Sequence, residues 1–184
     1  MPLKRIDETL DLASVTIDTP RLTLRALSAG DTREIFEHFT PSITRYMVPR
    51  APDGIGDTEA FVSLALDTLY RGVDLHLTIL LGTDHSFLGL CSLQGRADPE
   101  LGIWLKASAH GYGYGREAIT GLVAWARDQI EFTHLIYPVD RRNGPSRKIP
   151  ESLGGRIVGE RREMSQSGFA LDELVYAIPR KPAA

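Results

Sequence analysis

The stretch that decides the fold is Glu100-Leu101-Gly102-Ile103-Trp104-Leu105-Lys106-Ala107-Ser108-Ala109-His110-Gly111-Tyr112-Gly113-Tyr114-Gly115-Arg116. Its first six residues are typical of a strand, and the three alternating glycines then predict a turn. Apolar residues at helical spacing predict a helix after the turn; they are Ala118, Ile119, Leu122, Val123, Ala126 and Ile130. The chain therefore runs from a strand through a glycine turn into a helix.

The glycine turn is suited to an anionic ligand. A helix N-terminus leaves N–H groups unpaired and carries a partial positive charge, so glycines directly before it let a phosphate come close. The spacing is not that of a P-loop, because no Lys-Ser/Thr pair follows. It also fits a dinucleotide fingerprint poorly, because the sixth position is Arg116 instead of glycine. From the spacing alone, an anion site and a plain strand-to-helix turn without a ligand are equally good interpretations.

The residues on either side predict further helices and strands. The alternating segment 19–25 predicts a first strand, and Asp31 then has the spacing of a capping box that opens a short helix. The loop 46–56, rich in proline and glycine, is expected to shape a pocket, and Asp57 is expected to cap a second helix. Other predicted elements are a hairpin of strands 75–81 and 87–93, strands at 134–139, 156–159 and 171–178, and a short helix at 143–153. The predicted class is α+β with a mixed, mostly antiparallel sheet flanked by helices.

Length and charge restrict the protein class. A chain of 184 residues suits a single domain, and a net charge of −3 gives no strong field to recruit nucleic acid or an anionic membrane. No apolar stretch nears membrane-spanning length, and we expect a cytoplasmic protein without a metal site. Cys91 is the single cysteine and lies in an apolar run, so we expect a buried structural thiol.

Two blocks of the sequence resemble the GNAT acyltransferases. His110 to Ala118 is similar to their pyrophosphate loop, in which Gln or Arg, two variable residues, glycine, one variable residue and glycine or alanine follow one another. Gly113 and Gly115 fit this pattern, and His110 takes the Gln/Arg position. Asn143-Gly144-Pro145-Ser146, leading to Leu153-Gly154-Gly155, resembles the second conserved block. The ends of the likeness, near 19–25 and 174–180, resemble the ribosomal-protein N-terminal acetyltransferase branch.

The resemblance implies a single GNAT domain over residues 19–180, an N-terminal extension at 1–18 and a C-terminal tail at 181–184. It also implies acetyl-CoA as co-substrate, with its arm added like a strand along the edge of residues 103–106. The residues expected to bind it are Ile103, Trp104, Leu105, His110, Gly111, Tyr112, Gly113, Tyr114, Gly115, Arg116, Asn143 and Ser146.

The resemblance also suggests catalytic groups. Glu100 opens the strand beside the cofactor and matches a glutamate that some members use as a base, commonly through water; the alternative is a solvated carboxylate. His76, in the hairpin that faces the acceptor region, is the second candidate base. Many members carry a tyrosine acid seven residues after the asparagine, where this chain has Pro150. Ser146 matches a serine of the ribosomal-protein branch and is predicted to face the thiolate; the alternative is that Ser146 and Asn143 only start the helix. Pro150 is also expected to kink this helix.

The acceptor is predicted from chemistry, since no motif identifies it. An α-amine has a pKa near 7.8 and a lysine near 10.4, so deprotonating lysine at pH 7 costs roughly 3.5 kcal/mol more. A weak base therefore suits a peptide N-terminal amine, with small-molecule amines as the alternative. The alternative to an enzyme is a non-catalytic module that binds acyl-CoA. The exposed late strand could pair with a second copy in a homodimer.

Overall fold

An eight-stranded sheet organises the protein, in a computed structural model that describes residues 1–180. The strands are β1 (Thr16–Asp18), β2 (Leu22–Ala26), β3 (Asp74–Leu81), β4 (Phe87–Gln94), β5 (Glu100–Leu105), β6 (His134–Asp140), β7 (Arg156–Met164) and β8 (Ala170–Pro179). The helices are α1 (Thr32–His38), α2 (Ile55–Tyr70), α3 (Tyr114–Gln129) and α4 (Gly144–Ser152). This mixed sheet with its helices confirms the predicted α+β class.

The strand order is β1-β2-β3-β4-β5-β6-β8-β7, and every pair of neighbours is antiparallel except β5 and β6. Because β5 and β6 are parallel, the chain needs a crossover between them, and α3 provides it. Their ladder consists of the single pair Glu100 and Ile136, fastened where the Ile136 N–H donates to the Pro99 carbonyl at 2.8 Å. Beyond this pair the two strands part, which leaves a gap in the middle of the sheet.

The two faces of the sheet carry different helices. Alternate residues of β3, such as Leu75, Leu77 and Ile79, pack in the larger core with the α3 residues Ile119 and Leu122. A smaller core on the opposite face joins α1 and α2 to the sheet through Leu27, Ile35, Val62, Ala65, Leu80, Phe87 and Leu90. The gap between β5 and β6 is therefore flanked by α3 on one face and reached from the α1–α2 face on the other.

Two details of the helix starts differ from the sequence prediction. The capping box lies one turn earlier than predicted, between Ser28 and Asp31, because Asp31 is buried and also binds Arg25. Asp57 does not cap α2; its carboxylate sits in the first turn and accepts the Asp53 N–H at 2.9 Å. Helix α4 includes Pro150 in its last turn, as the predicted helix 143–153 did, and the kink expected at this residue stays a prediction.

The chain termini and the outer strand complete the fold. Residues 1–18, predicted as an extension, pack on the domain, with Leu3, Leu12 and Val15 buried. The predicted tail, 181–184, lies outside the described residues. Strand β7 forms one outer edge of the sheet and exposes Ile157 and Val158, and its pairing with a second copy stays a prediction. Over residues 1–180, no helix is both long and apolar enough to cross a membrane.

Candidate active site

The gap between β5 and β6 exposes main-chain groups of β5. The Lys106 N–H donates to the Leu88 carbonyl of β4 at 2.8 Å. Along a strand, the main-chain N–H and C=O groups of successive residues point alternately to the neighbour on one side and to the neighbour on the other. The main-chain groups of Ile103 and Leu105 therefore point the other way, into the gap. The Leu105 carbonyl lies 2.9 Å from Nε2 of His110, so the ring of His110 ties the glycine turn to the end of β5. Ile103 keeps a donor and an acceptor for an added strand.

The glycine turn adopts the backbone that its glycines allow. Gly111 and Gly113 have φ angles of 85° and 79°, in the left-handed region that side chains rarely adopt, and Gly113 directly precedes α3. The first-turn N–H groups of Tyr114, Gly115 and Arg116 have no acceptor inside the helix. A side chain added at Gly115 would lie 3.6 Å from the ends of three apolar side chains that border the gap: Ile103, Leu105 and Ile149. The turn thus presents unpaired N–H groups of a helix N-terminus beside the gap, an arrangement that suits an anion.

Arg21 and Glu117 hold this turn in place. Glu117, in the first turns of α3, accepts hydrogen bonds from the Thr19 hydroxyl and from the main-chain N–H and guanidinium of Arg21, at 2.7, 2.8 and 2.7 Å. The same guanidinium donates to the Tyr112 carbonyl at 3.0 Å and lies 4.7 Å from the ring centre of Tyr114. Burial opposes ionisation of Glu117, but these hydrogen bonds and Arg21 outweigh it and lower the pKa of Glu117. The position of the turn is therefore fixed by the connection between β1 and β2, which carries Thr19 and Arg21.

The far wall of the gap carries Asn143 and Ser146. The Asn143 side chain caps α4 by accepting the Ser146 N–H at 3.3 Å, as the structural alternative predicted. The Ser146 hydroxyl does not bind the helix backbone. It lies 2.9 Å from the hydroxyl of Tyr137, which projects from β6.

Either hydroxyl can be the donor in the hydrogen bond between Tyr137 and Ser146. Burial raises the pKa of Tyr137 to about 12, against a lowering by Ser146, so the phenol keeps its proton. Within residues 1–180, Ser146 Oγ is the hydrogen-bond partner of this hydroxyl, and a buried donor left without an acceptor is costly. Donation by Tyr137 would satisfy its buried hydroxyl and leave the Ser146 hydrogen free for another acceptor.

A cavity of about 580 Å³ reaches β5 from the opposite face. Its floor includes Gly102, Ile103 and Trp104 of β5, and the predicted loop 46–56 forms one side. This loop is fastened across the cavity to the turn between β7 and β8. The Gln166 N–H donates to the Val48 carbonyl at 2.8 Å, and the Arg50 N–H donates to Gln166 Oε1 at 3.3 Å.

The cavity reaches the backbone of β5 at Gly102, because glycine has no side chain to fill this position. His76 of β3 is paired with Ser92 of β4, and Ser92 with Gly102 of β5, so the three form a row across the sheet. A side chain at Gly102 would lie 2.8 Å from the Ser92 hydroxyl. The row therefore leaves an opening between His76 and the gap.

His76 lines this cavity. Its side chain is 14% exposed and meets the ring of Phe61 edge-on at 6.3 Å between centres. Burial lowers the pKa of His76 from its ordinary 6.5, and the Asp74 carboxylate, 4.0 Å from Nε2, offsets this only in part. His76 is thus a neutral base at pH 7.

Glu100 lies at the closed end of the gap. Its carboxylate accepts a hydrogen bond from Arg161 at 3.1 Å and lies 3.9 Å from Arg96 Nε. The alternative of a freely solvated carboxylate is therefore wrong, because the side chain is 13% exposed and ion-paired. The role of Glu100 as a base stays a prediction.

A family model described as an acetyltransferase (GNAT) domain matches residues 21–156. The chain belongs to the GNAT acetyltransferase family. This agrees with the two sequence blocks and with the parted central strands. GNAT acetyltransferases take their acetyl group from acetyl-CoA.

Proteins similar to this GNAT chain include an uncharacterized N-acetyltransferase and, in fold, two ribosomal-protein acetyltransferases. The uncharacterized N-acetyltransferase p20 of Bacillus licheniformis is 23% identical over 177 residues, 92% of this chain and 98% of that protein. The ribosomal-protein-S5-alanine acetyltransferase of Vibrio fischeri superposes with a TM-score of 0.73 at 15% identity, covering 91% of this chain and 97% of that one. RimL, a ribosomal L7/L12 alpha-N-protein acetyltransferase solved with coenzyme A, gives a TM-score of 0.75 at 15% identity, covering 90% and 98%. At these identities the two structures show the GNAT fold alone.

The GNAT fold brings most predicted site residues together at the gap. The glycine turn and β5 lie on one side of the gap, with Asn143 and Ser146 on the other. Glu100 lies at the end of the gap, and His76 lies two strands away in the cavity. The sequence prediction missed Arg21 and Tyr137, whose partners are known only once α3, α4 and the sheet are assembled.

Glu173 was also missed. Its side chain is 8% exposed and lies 3.9 Å from Arg161 at its nearest approach, and its buried Oε2 has no hydrogen-bond partner among residues 1–180. Burial raises the pKa of Glu173, which Arg161 offsets in part. A charged residue inside the apolar run 171–178 was the available signal.

Cys91 is buried as predicted, and burial raises its pKa to about 12. Within the described chain, no three His, Cys, Asp or Glu side chains are grouped to hold a metal ion.

Proposed function

We propose that this GNAT protein transfers an acetyl group from acetyl-CoA to a primary amine by direct attack in a ternary complex, with a peptide N-terminal amine as the acceptor. One observation carries the proposal: β5 borders both spaces. Ile103 turns its main-chain groups to the gap, while Gly102 and Trp104 floor the cavity. Acetyl-CoA bound in the gap and an amine bound in the cavity would meet at this strand.

The residues of the gap suit acetyl-CoA. The glycine turn offers the N–H groups of Tyr114, Gly115 and Arg116 to a pyrophosphate, and Ile103 offers a donor and an acceptor to an amide-bearing arm. His110 serves this site indirectly, by tying the turn to Leu105. Bound acetyl-CoA supplies the thioester whose carbon receives the amine.

The reaction needs a base on the acceptor side. A nitrogen–carbon bond forms, the carbon–sulfur bond breaks, and the surplus proton of the amine goes to a base. His76 is favoured because it is neutral at pH 7 and lines the cavity, whereas Glu100 is engaged by Arg161. Glu100 acting through water is the alternative.

The departing thiolate needs a hydrogen-bond donor. Ser146 suits this role with Tyr137 as the donor to its oxygen, 2.9 Å away, because this arrangement leaves the Ser146 hydrogen free to point into the gap. Tyr137 is a positioning residue, since its raised pKa makes it a poor acid. Positioning of both substrates contributes most of the acceleration, because effective molarities of about 10⁵ M or more replace a bimolecular encounter.

A peptide N-terminal amine is favoured over a lysine side chain because its ordinary pKa, about 7.8, is lower than that of lysine, about 10.4. An imidazole of lowered pKa is a weak base, and an α-amine is the easier group to deprotonate.

The test is a two-substrate initial-rate study of thiol release with acetyl-CoA and an amine-bearing peptide. A ternary complex predicts double-reciprocal lines that intersect and no thiol release without amine. Parallel lines, which indicate an acetylated enzyme, would contradict direct attack.

A further inference from the structure

We infer that the acceptor carries a bulky apolar or aromatic group beside its amine and no second positive charge. A peptide whose first residue is Phe, Leu or Met fits this description, as does an arylalkyl monoamine. The inference rests on the proposed acetyl transfer, because it concerns the acceptor of the same site.

The walls of the cavity are apolar and aromatic. They are formed chiefly by Phe39, Met47, Phe61, Leu64, Leu90 and Trp104. Phe39 and Trp104 lie 4.9 Å apart between ring centres at a tilt of 54°, so the rings already pack as aromatic pairs do. A further ring could join this group edge-on, and burying an apolar side chain in it is favourable by the ordinary hydrophobic effect.

The charges of the cavity cancel. Among the lining residues, all within the described chain, Asp57 is the one carboxylate and Arg50 the one permanent cation. Arg50 lies 3.8 Å from Asp57 and 2.6 Å from Asp53. His76 is neutral at pH 7 because burial lowers its pKa. A second ammonium group on the acceptor would lose its water without finding a free carboxylate, which is costly.

The shape of the cavity directs the amine toward β5. The opening at Gly102 is bounded by the Ser92 hydroxyl, and a side chain there would come within 2.8 Å of it. This opening admits a small group such as an amine, while the apolar part of the acceptor stays among the aromatic rings. The cavity therefore selects the group next to the amine.

The test compares initial rates of thiol release for pentapeptides that differ only in their first residue: Phe, Leu, Ser, Asp or Lys. 2-Phenylethylamine and 1,4-diaminobutane form a second matched pair. We expect kcat/KM for the Phe and Leu peptides to exceed that of the Ser peptide by about ten- to a hundred-fold, as burial of a side chain of this size predicts. The Lys peptide and the diamine are expected to be poorest.

A variant pair on α2 links the preference to the cavity. Phe61→Ala is expected to lower the Phe-over-Ser preference about ten-fold and leave the KM for acetyl-CoA unchanged. Tyr70→Ala is the matched control, since Tyr70 is on the same helix but is 72% exposed against 42% for Phe61 and does not line the cavity. An equal loss of preference in both variants would contradict the role of the cavity.

The outcomes separate this inference from the proposed function. Ser, Asp or Lys peptides acetylated as fast as Phe peptides would overturn the selectivity and leave acetyl transfer standing. If none of the acceptors gave thiol release, the proposed acetyl transfer itself would be contradicted. Calorimetric titration of 2-phenylethylamine and diaminobutane, with coenzyme A present, then decides the selectivity: tighter binding of the arylalkylamine supports it, and equal binding contradicts it.

Discussion

The hydroxyl groups of Tyr137 and Ser146 lie 2.9 Å apart at the wall of the gap, and their pairing gives the first prediction at the residue scale. Ser146→Ala is expected to lower kcat by about ten- to a hundred-fold, the usual worth of a hydrogen bond to a charged group. Tyr137→Phe is expected to lower kcat less, because the Ser146 hydroxyl remains but is no longer held by Tyr137 and can turn away from the thiolate. The KM for acetyl-CoA should stay unchanged in both.

The double variant tells positioning from a merely structural role. If Tyr137 acts through Ser146, Tyr137→Phe has no further effect on kcat in the Ser146→Ala background. Measured rates that multiply instead would show that the two residues act independently. Thermal unfolding of each variant controls for loss of fold.

His76 gives a pH prediction at the same scale. Its pKa is lowered, so it stays neutral at pH 7, and kcat of the wild type is expected to fall only below about pH 6.5, as the imidazole gains a proton. His76→Gln should lower kcat at pH 7 by about 10²-fold or more and remove this acid limb. Glu100→Gln is the matched comparison for the pH–rate profile. An acid limb that disappears with Glu100→Gln and persists with His76→Gln would assign the base to Glu100.

What the sequence could show at this scale was the presence of these groups, not their partners. Glu100 is visible as the opening residue of a strand, but Arg161, which binds it, is 61 residues away. Ser146 is found by its distance from Asn143, while Tyr137 reads as an ordinary strand residue. Burial and long-range pairing decide which of these groups can act, and neither follows from local spacing.

At the scale of elements, the turn before α3 carries the prediction. Gly113→Ala places a side chain at φ 79°, which costs about 1 kcal/mol and displaces the N–H groups that start the helix. We expect the KM for acetyl-CoA to rise several-fold with a smaller change in kcat. Gly72→Ala is the control, since Gly72 has φ 68° at the end of α2, away from the gap. Equal effects of both variants on the KM would contradict an anion site at the turn.

Most elements could be predicted from the sequence because their signals are local. The hairpin of β3 and β4 follows from two apolar runs around a short turn, and α3 follows from its apolar spacing after the glycines. The helix starts were less well predicted, since Asp31 is buried and occupied by Arg25 instead of capping α1. The parting of β5 and β6 is absent from the local pattern, because it depends on a ladder that ends after the pair Glu100 and Ile136.

At the scale of the whole molecule, the cavity proposed for the acceptor is assembled from distant parts of the chain. The loop 46–56, α2, the central strands and Gln166 of the late turn all contribute to it. The loop was expected to shape a pocket, but the chemistry of the cavity could not be predicted, since its apolar character arises from side chains that meet after folding. The gap proposed to hold acetyl-CoA is, by contrast, bordered by two short blocks that could be recognised in the sequence.

The most direct measurement is a mass balance of the reaction. Purified protein is incubated with acetyl-CoA and a peptide that begins with phenylalanine, and free coenzyme A thiol and acetylated peptide are quantified together. The account predicts equal amounts of the two products, formed at a rate that depends on the protein and on the peptide. Acetyl-CoA that binds with no thiol released above background, across peptides and small amines, would contradict it and indicate a non-catalytic acyl-CoA binding protein.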